Sequence, residues 1–188
     1  MAEVQRDVVL TNLGLDLRPE TGAIPFTPIV HSLHVELAHP ALIKGVKAVL
    51  AMSRARLPVE VEFEDAVFVP GGAEITVTAG LNRFLKAKAT AVVGIAAHRS
   101  DTVSVEIREI RTLGKLSVEG IVGPMIEKAL DKAAQRPGIE RDPGRKQGLL
   151  VNPDELLKGQ GVPLEFAQPG SWTVACEPRQ LTARFESD

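Results

Sequence analysis

Between residues 28 and 38 apolar and polar side chains alternate, with Ile29, His31, Leu33, Val35 and Leu37 on one side and Ser32, His34 and Glu36 on the other. A period of two predicts a strand with one buried face. After His39-Pro40 the period lengthens: Leu42, Ile43, Val46, Val49 and Leu50 fall on one stripe, and Lys44, Lys47 and Arg54 on the opposite one. This predicts an amphipathic helix over 40–56, opened by Pro40, closed by Pro58, with Arg54 and Arg56 complementing the dipole of its last turn.

Residues 59 to 110 return to period two. They predict a four-stranded antiparallel meander over 59–69, 73–79, 81–97 and 102–110, turning at Pro70-Gly71-Gly72 and at 98–101. The odd positions form the apolar face, from Val59, Val61 and Phe63 through Ile75, Val77 and Ala79 to Val103, Val105 and Ile107. The third strand contributes Leu85, Ala87, Ala89, Ala91, Val93 and Ile95. At some 17 residues it is far longer than the usual five or six, so it has to curl, with Gly80 and Gly94 as places to bend. A second helix, from Gly123-Pro124 to the residues before Pro137, presents Met125, Ile126, Ala129, Leu130 and Ala133. Residues 138–147 are polar and predict a loop; 152–157 predict a capped helical turn, and three short strands follow near 162–166, 171–176 and 179–185.

The fold class expected is α+β in one domain spanning residues 1–188: a long curved antiparallel meander wrapped around two amphipathic helices. A chain of 188 residues fits one core, and no internal repeat interrupts it.

This order of elements, with "HPALIKGVKAVLA" opening the first helix and the glycine-rich run "LGKLSVEGIVGPMIEKALDKA" leading into the second, resembles the tubular lipid-binding (TULIP) superfamily. Within it the likeness is to the LmeA-like phospholipid-binding group, over about residues 28 to 185, on pattern and element order without a catalytic motif. The resemblance implies a strongly curved antiparallel sheet around a long helix, with an apolar groove that takes acyl chains. Many members of that group are secreted or membrane-anchored, whereas this N-terminus lacks the basic and apolar regions of a signal peptide.

Composition adds two things. Six Phe, one Trp and no Tyr leave the interior to Val, Ile, Leu and Ala, which suits acyl chains and provides no stacking platform for single-stranded nucleic acid. A formal net charge of -2 gives no electrostatic reason to seek polyanions. The single cysteine, Cys176, precludes an intramolecular disulfide, and the expected location is the cytoplasm.

Candidate chemistry is sparse. "HSLHVELAHP" at 31–40 suggests a metal site, but His31 and His34 on a strand are expected to point to opposite faces about 10 Å apart, too far to chelate one ion. Glu60, Glu62 and Glu64 line a wet strand face and are expected to be solvated or paired with Lys86 and Lys88. Arg83, Lys86, Lys88, Arg108, Arg111 and Lys115 either gather at one end of the sheet, where they would meet phosphate head groups, or lie scattered over a solvated face. Cys176 shares a strand face with Trp172 and Val174 and is expected to be a buried thiol. No G-x-S-x-G elbow is present, so no enzyme is expected.

The function expected is non-enzymatic binding of a lipid or other apolar ligand between the sheet and the helices. The lining residues are Val46, Leu50, Ala87, Ala89, Ala91, Val93, Ile126 and Leu130, with no cofactor and no metal. The row of alanines leaves room either for a closely packed helix or for a ligand chain. Peripheral membrane contact and homodimer formation are compatible with such a carrier, and nucleic acid is not an expected partner. The alternative is a protein-interaction or scaffolding module whose interior is solid.

Overall fold

The computed structural model describes residues 7–19, 26–53, 60–82, 85–113 and 119–188. They form mostly antiparallel sheet with three helices, an α+β protein.

The chain enters through β1 (Val8–Pro19) and returns along β2 (Phe26–Ala38), which passes directly into α1 (His39–Ser53). Then come β3 (Glu60–Val69), β4 (Gly72–Asn82), β5 (Leu85–Arg99) and β6 (Thr102–Leu113), followed by α2 (Glu119–Ala133). The end of the chain holds β7 (Ile139–Arg141), β8 (Gly148–Val151), α3 (Pro153–Gly159), β9 (Glu165–Phe166), β10 (Gly170–Glu177) and β11 (Gln180–Ser187). The first sheet runs β1-β2-β11-β10, with β9 added in parallel to β2; the second runs β3-β4-β5-β6-β8-β7.

Bulges decide which side chains share a face. In β1 the register shifts at Thr11, so Val8 and Leu10 before it lie on the same face as Leu13, Leu15 and Leu17 after it. In β6 it shifts at Arg108, which moves the apolar parity from Val103, Val105 and Ile107 to Ile110 and lets the strand run on to Leu113. The expected strand over 81–97 is divided: β4 continues to Asn82 and β5 begins at Leu85, so Leu81 belongs to the preceding strand. Arg54 and Arg56, expected in the last helical turn, lie outside the described residues.

The sheets are joined by backbone hydrogen bonds where β10 crosses the hairpin tips of the second sheet. Gly71 donates to the Cys176 carbonyl at 3.2 Å and accepts from Ile95 at 3.0 Å, while Trp172 donates to Ser100 at 2.8 Å. Gly71 has φ +75°, a conformation that favours glycine, and a Cβ on Gly72 would stand 1.9 Å from the Val93 carbonyl oxygen. The sequence Pro70-Gly71-Gly72 therefore makes a tip thin enough to wedge between two strands.

Two apolar clusters anchor this arrangement. Phe68, Ala73, Cys176 and Leu181 pack at the seam with Leu37, Leu42 of α1 and Ile95 around them. Val30, Phe166 and Phe185 form the second, flanked by Leu33, Trp172 and by Leu157 and Leu164, which bracket the α3–β9 connection. Its three rings meet edge-on or tilted, with centroids 4.8 to 5.4 Å apart. Asn152 caps α3 by accepting from the Glu155 amide at 3.1 Å, with Pro153 in the first turn.

The two helices expected to fill the sheet have different neighbours. α1 packs mainly against β3 and also touches β2, whereas α2 rests against β7.

Candidate functional site

The apolar face of β5 is the natural place to begin. Ala87 stands opposite Ala79, Ala89 opposite Val77, Ala91 opposite Ile75 and Val93 opposite Ala73. On the β6 side, Ala91 and Val93 face Ile110 and Ile107. Strand alternation and the Arg108 bulge thus assemble one apolar surface from three strands, with the smallest side chains along its middle. Ala89 is buried at 8% exposure, and Ala87, Ala91 and Val93 are half-buried.

Val46 and Leu50 follow Leu42 at intervals of four residues, on the stripe that enters the seam core through Leu42. Both are half-buried, and none of the side chains described in α1 is fully buried. Val49 is 57% exposed. Lys47 holds its ammonium 5.0 Å from the centre of the Phe63 ring on β3. Ile126 and Leu130 are half-buried on α2, beside β7. The eight expected lining residues therefore occupy three places: a row on β5, a stripe on α1 packed against β3, and a stripe on α2.

Sequence periodicity missed a further apolar surface. On β1, Val8, Leu10, Leu13, Leu15 and Leu17 are 44 to 57% exposed, and Phe26 at the start of β2 is 47% exposed. They share a face with Leu37, Val35, Leu33, Val30 and Pro28, their partners on β2. This row extends the core surface of the first sheet out to its edge. The signal was in the chain, but Thr11 adds a residue between Leu10 and Leu13 and breaks the alternation.

The opposite face of the second sheet is polar. Lys86 pairs with Glu62 at 3.3 Å, Glu64 accepts from Thr78 at 2.9 Å, and Glu60, Glu62, Thr78, Gly80 and Lys86 line a shallow surface depression. Arg111 binds Glu109 at 2.7 Å and Glu74 at 3.3 Å, so the Arg111 hydrogen bond holds the Glu109 carboxyl below its ordinary range. Arg108 binds Glu106. Among the expected cations, Lys86, Arg108 and Arg111 are thus matched to carboxylates, and Arg83 and Lys115 lie outside the described residues.

The histidines have separate partners. His31 sits at the β2 bulge with Asp16 at 3.1 Å and Ser187 at 3.5 Å, whereas His34 meets Glu36 at 3.5 Å and Arg184 at 3.4 Å. No group of three or more His, Cys, Asp or Glu is placed to hold a metal among the described residues. Ser187, His31 and Asp16 follow one another within 3.5 Å, but the His31 and Asp16 side chains are 43% and 80% exposed. In water such a carboxylate neither fixes the imidazole nor works in a low dielectric, the two contributions a catalytic triad needs.

Cys176 is buried in the seam, and burial pushes its thiol above the ordinary range, with the Arg108 charge pulling weakly the other way. It lacks the electropositive, accessible setting of a reactive thiolate. No helix among the described residues is long and apolar enough to cross a membrane.

Compared with protein-family models, with curated proteins and with solved structures, the chain matches none of them.

Proposed function

We propose that the protein is a non-enzymatic binder of a lipid or similar apolar molecule, which lies between the curved sheet and the helices. The observation that carries this reading is the alanine row of β5, Ala87, Ala89 and Ala91, set among bulkier aliphatic side chains and continuous with the seam core. α1 supports it, because Val46 and Leu50 are only half-buried and Val49 is open. An acyl chain over these residues removes further apolar surface from water, at about 0.8 kcal/mol per CH₂. In the TULIP-like arrangement the sheet curls around the helices, and the ligand takes the place of a solid filler.

Ala91→Trp, on a half-buried position flanked by Ile75 and Ile110, tests this directly. The indole fills the ligand's space, so binding of a fluorescent fatty-acid probe should fall at least tenfold while the melting temperature changes little. A wild type that binds no probe, together with strong destabilisation by Ala91→Trp, contradicts the reading.

The second reading is a solid-cored interaction module, and the open apolar row on β1 favours it.

A further inference from the structure

We infer that α2 is a movable wall of the apolar face of the second sheet, held at the sheet edge by an ionic latch to the β7–β8 hairpin and released to let a ligand in and out. The latch stands without a ligand; its role as a gate rests on the ligand reading above.

Pairing across the strands fixes where the two long helices lie. Arg141 stands opposite Leu149, Leu149 opposite Val105 and Val105 opposite Ile95, so Arg141 belongs to the apolar face of the second sheet. Phe63 stands opposite Val77, and Val77 opposite Ala89, so Phe63 belongs to the same face. Lys47 of α1 lies over the Phe63 ring, and Asp131 of α2 reaches Arg141 at 3.5 Å. The helices thus flank one face at its two edges, α1 at β3 and α2 at β7, with β4, β5 and β6 and the alanine row between them.

Their attachments differ in kind. α1 continues directly from β2 and sends Leu42 into the seam core. α2 is tied to the hairpin by charge: Asp131 meets Arg141 and, one turn earlier on the same side of the helix, Glu127 meets Lys146 at 3.2 Å. The Asp131 and Lys146 side chains are 66% and 83% exposed, so water and salt weaken both pairs. None of the side chains described in α2 is fully buried. A helix held in this way belongs to the part of a fold that opens most easily.

The hairpin itself is fixed. Arg141 donates to the Lys146 carbonyl at 2.7 Å across the turn, the Asp142 carboxylate accepts from the Gly144 amide at 2.8 Å, and Arg145 pairs with Glu106 of β6. The chain beyond α2 is pinned as well: the Asn152 amide donates to the Gly138 carbonyl at 2.7 Å, and Pro137 fills the space that a Cβ on Gly159 would need. The helix therefore pivots about its C-terminal end, and the Glu127–Lys146 pair, further from the pivot, parts first. Swinging away from the hairpin, α2 widens the way to the face beside β6.

Hydrogen exchange reads the latch, and rapid mixing with a fluorescent fatty-acid probe reads the gate. Raising the salt from about 0.1 to 1 M shortens the screening length from about 10 to 3 Å. The α2 amides should then exchange roughly threefold faster or more, and should do so at low salt in the double variant Glu127→Gln with Asp131→Asn, while β4 and β5 and the melting temperature stay unchanged. In the double variant the probe's association and dissociation rates should rise together by a similar factor with Kd unchanged, a response that an ion pair serving stability alone does not give. Exchange in α2 that ignores both salt and the double variant overturns the inference, and so do unaltered probe rates beside a faster-exchanging α2. A wild type that binds no probe contradicts the ligand reading and with it the gate; the exchange data then decide the latch alone.

Discussion

The two halves of the first sheet have the same kind of apolar face and opposite fates. On β10 and β11 it carries Trp172, Val174, Cys176, Leu181, Ala183 and Phe185, roofed by Phe68 and Ala73 at one end and by Phe166 and Leu157 at the other. On β1 it carries Val8, Leu10, Leu13, Leu15 and Leu17, each about half in water. Hydrophobicity is equal, and what differs is the supply of covering elements. The β3–β4 tip, α3 and β9 all reach over the β10–β11 side. The contrast teaches that alternation marks a face as apolar without saying what it meets.

The covered half depends most on Phe185, which is 1% exposed. Phe185→Ala should cost about 3 to 5 kcal/mol in chemical denaturation, as a large ring leaves a cavity among Phe166, Trp172 and Val30. A loss below about 1 kcal/mol would mean that this half is as open as β1. Next comes Gly72→Ala at the seam, where the added methyl meets the Val93 carbonyl and forces the hairpin tip off β5. A loss of more than about 2 kcal/mol is expected, and an unchanged midpoint would show that the tip does not hold the sheets together.

Cys176 sharpens the same contrast by chemistry. Its thiol is raised by burial, so alkylation at mildly alkaline pH should be slow in the native protein and fast in denaturant. The sign for stability follows: the folded state keeps the proton that the unfolded chain releases, so this contribution is complete below the unfolded pKa and is lost as pH rises through the folded one. Rapid native labelling would show that the seam opens. The smallest effect is expected at Leu17, 57% exposed on β1, where Leu17→Ala should change stability of a dilute sample by less than about 1 kcal/mol.

Much of the architecture was legible in the sequence. Both long helices, the capped turn at 152–157, the meander and the strands at 171–176 and 179–185 follow from periodicity and from proline and glycine punctuation, because each is a long or well-punctuated pattern. β1 was hidden by one inserted residue at Thr11, and the parity switch at Arg108 concealed the apolar role of Ile110. β7, only 3 residues long and within the polar stretch 138–147, holds its place by pairing with β8, a tertiary effect that such a stretch does not advertise, and the apolar β8, at 4 residues, is too short for alternation to mark it. The apolar row of β5 was legible, since alternation sets Ala87, Ala89 and Ala91 on one face. The two long helices pack elsewhere, α1 on β3 and α2 on β7, a placement set by loop geometry about which periodicity carries no information.

The most direct test of the ligand reading is mass spectrometry of the purified protein, first under native conditions and then after extraction with organic solvent. An apolar or amphiphilic molecule bound in stoichiometric amount and released by the solvent is expected. A protein of bare-chain mass whose extract holds no such molecule would contradict it.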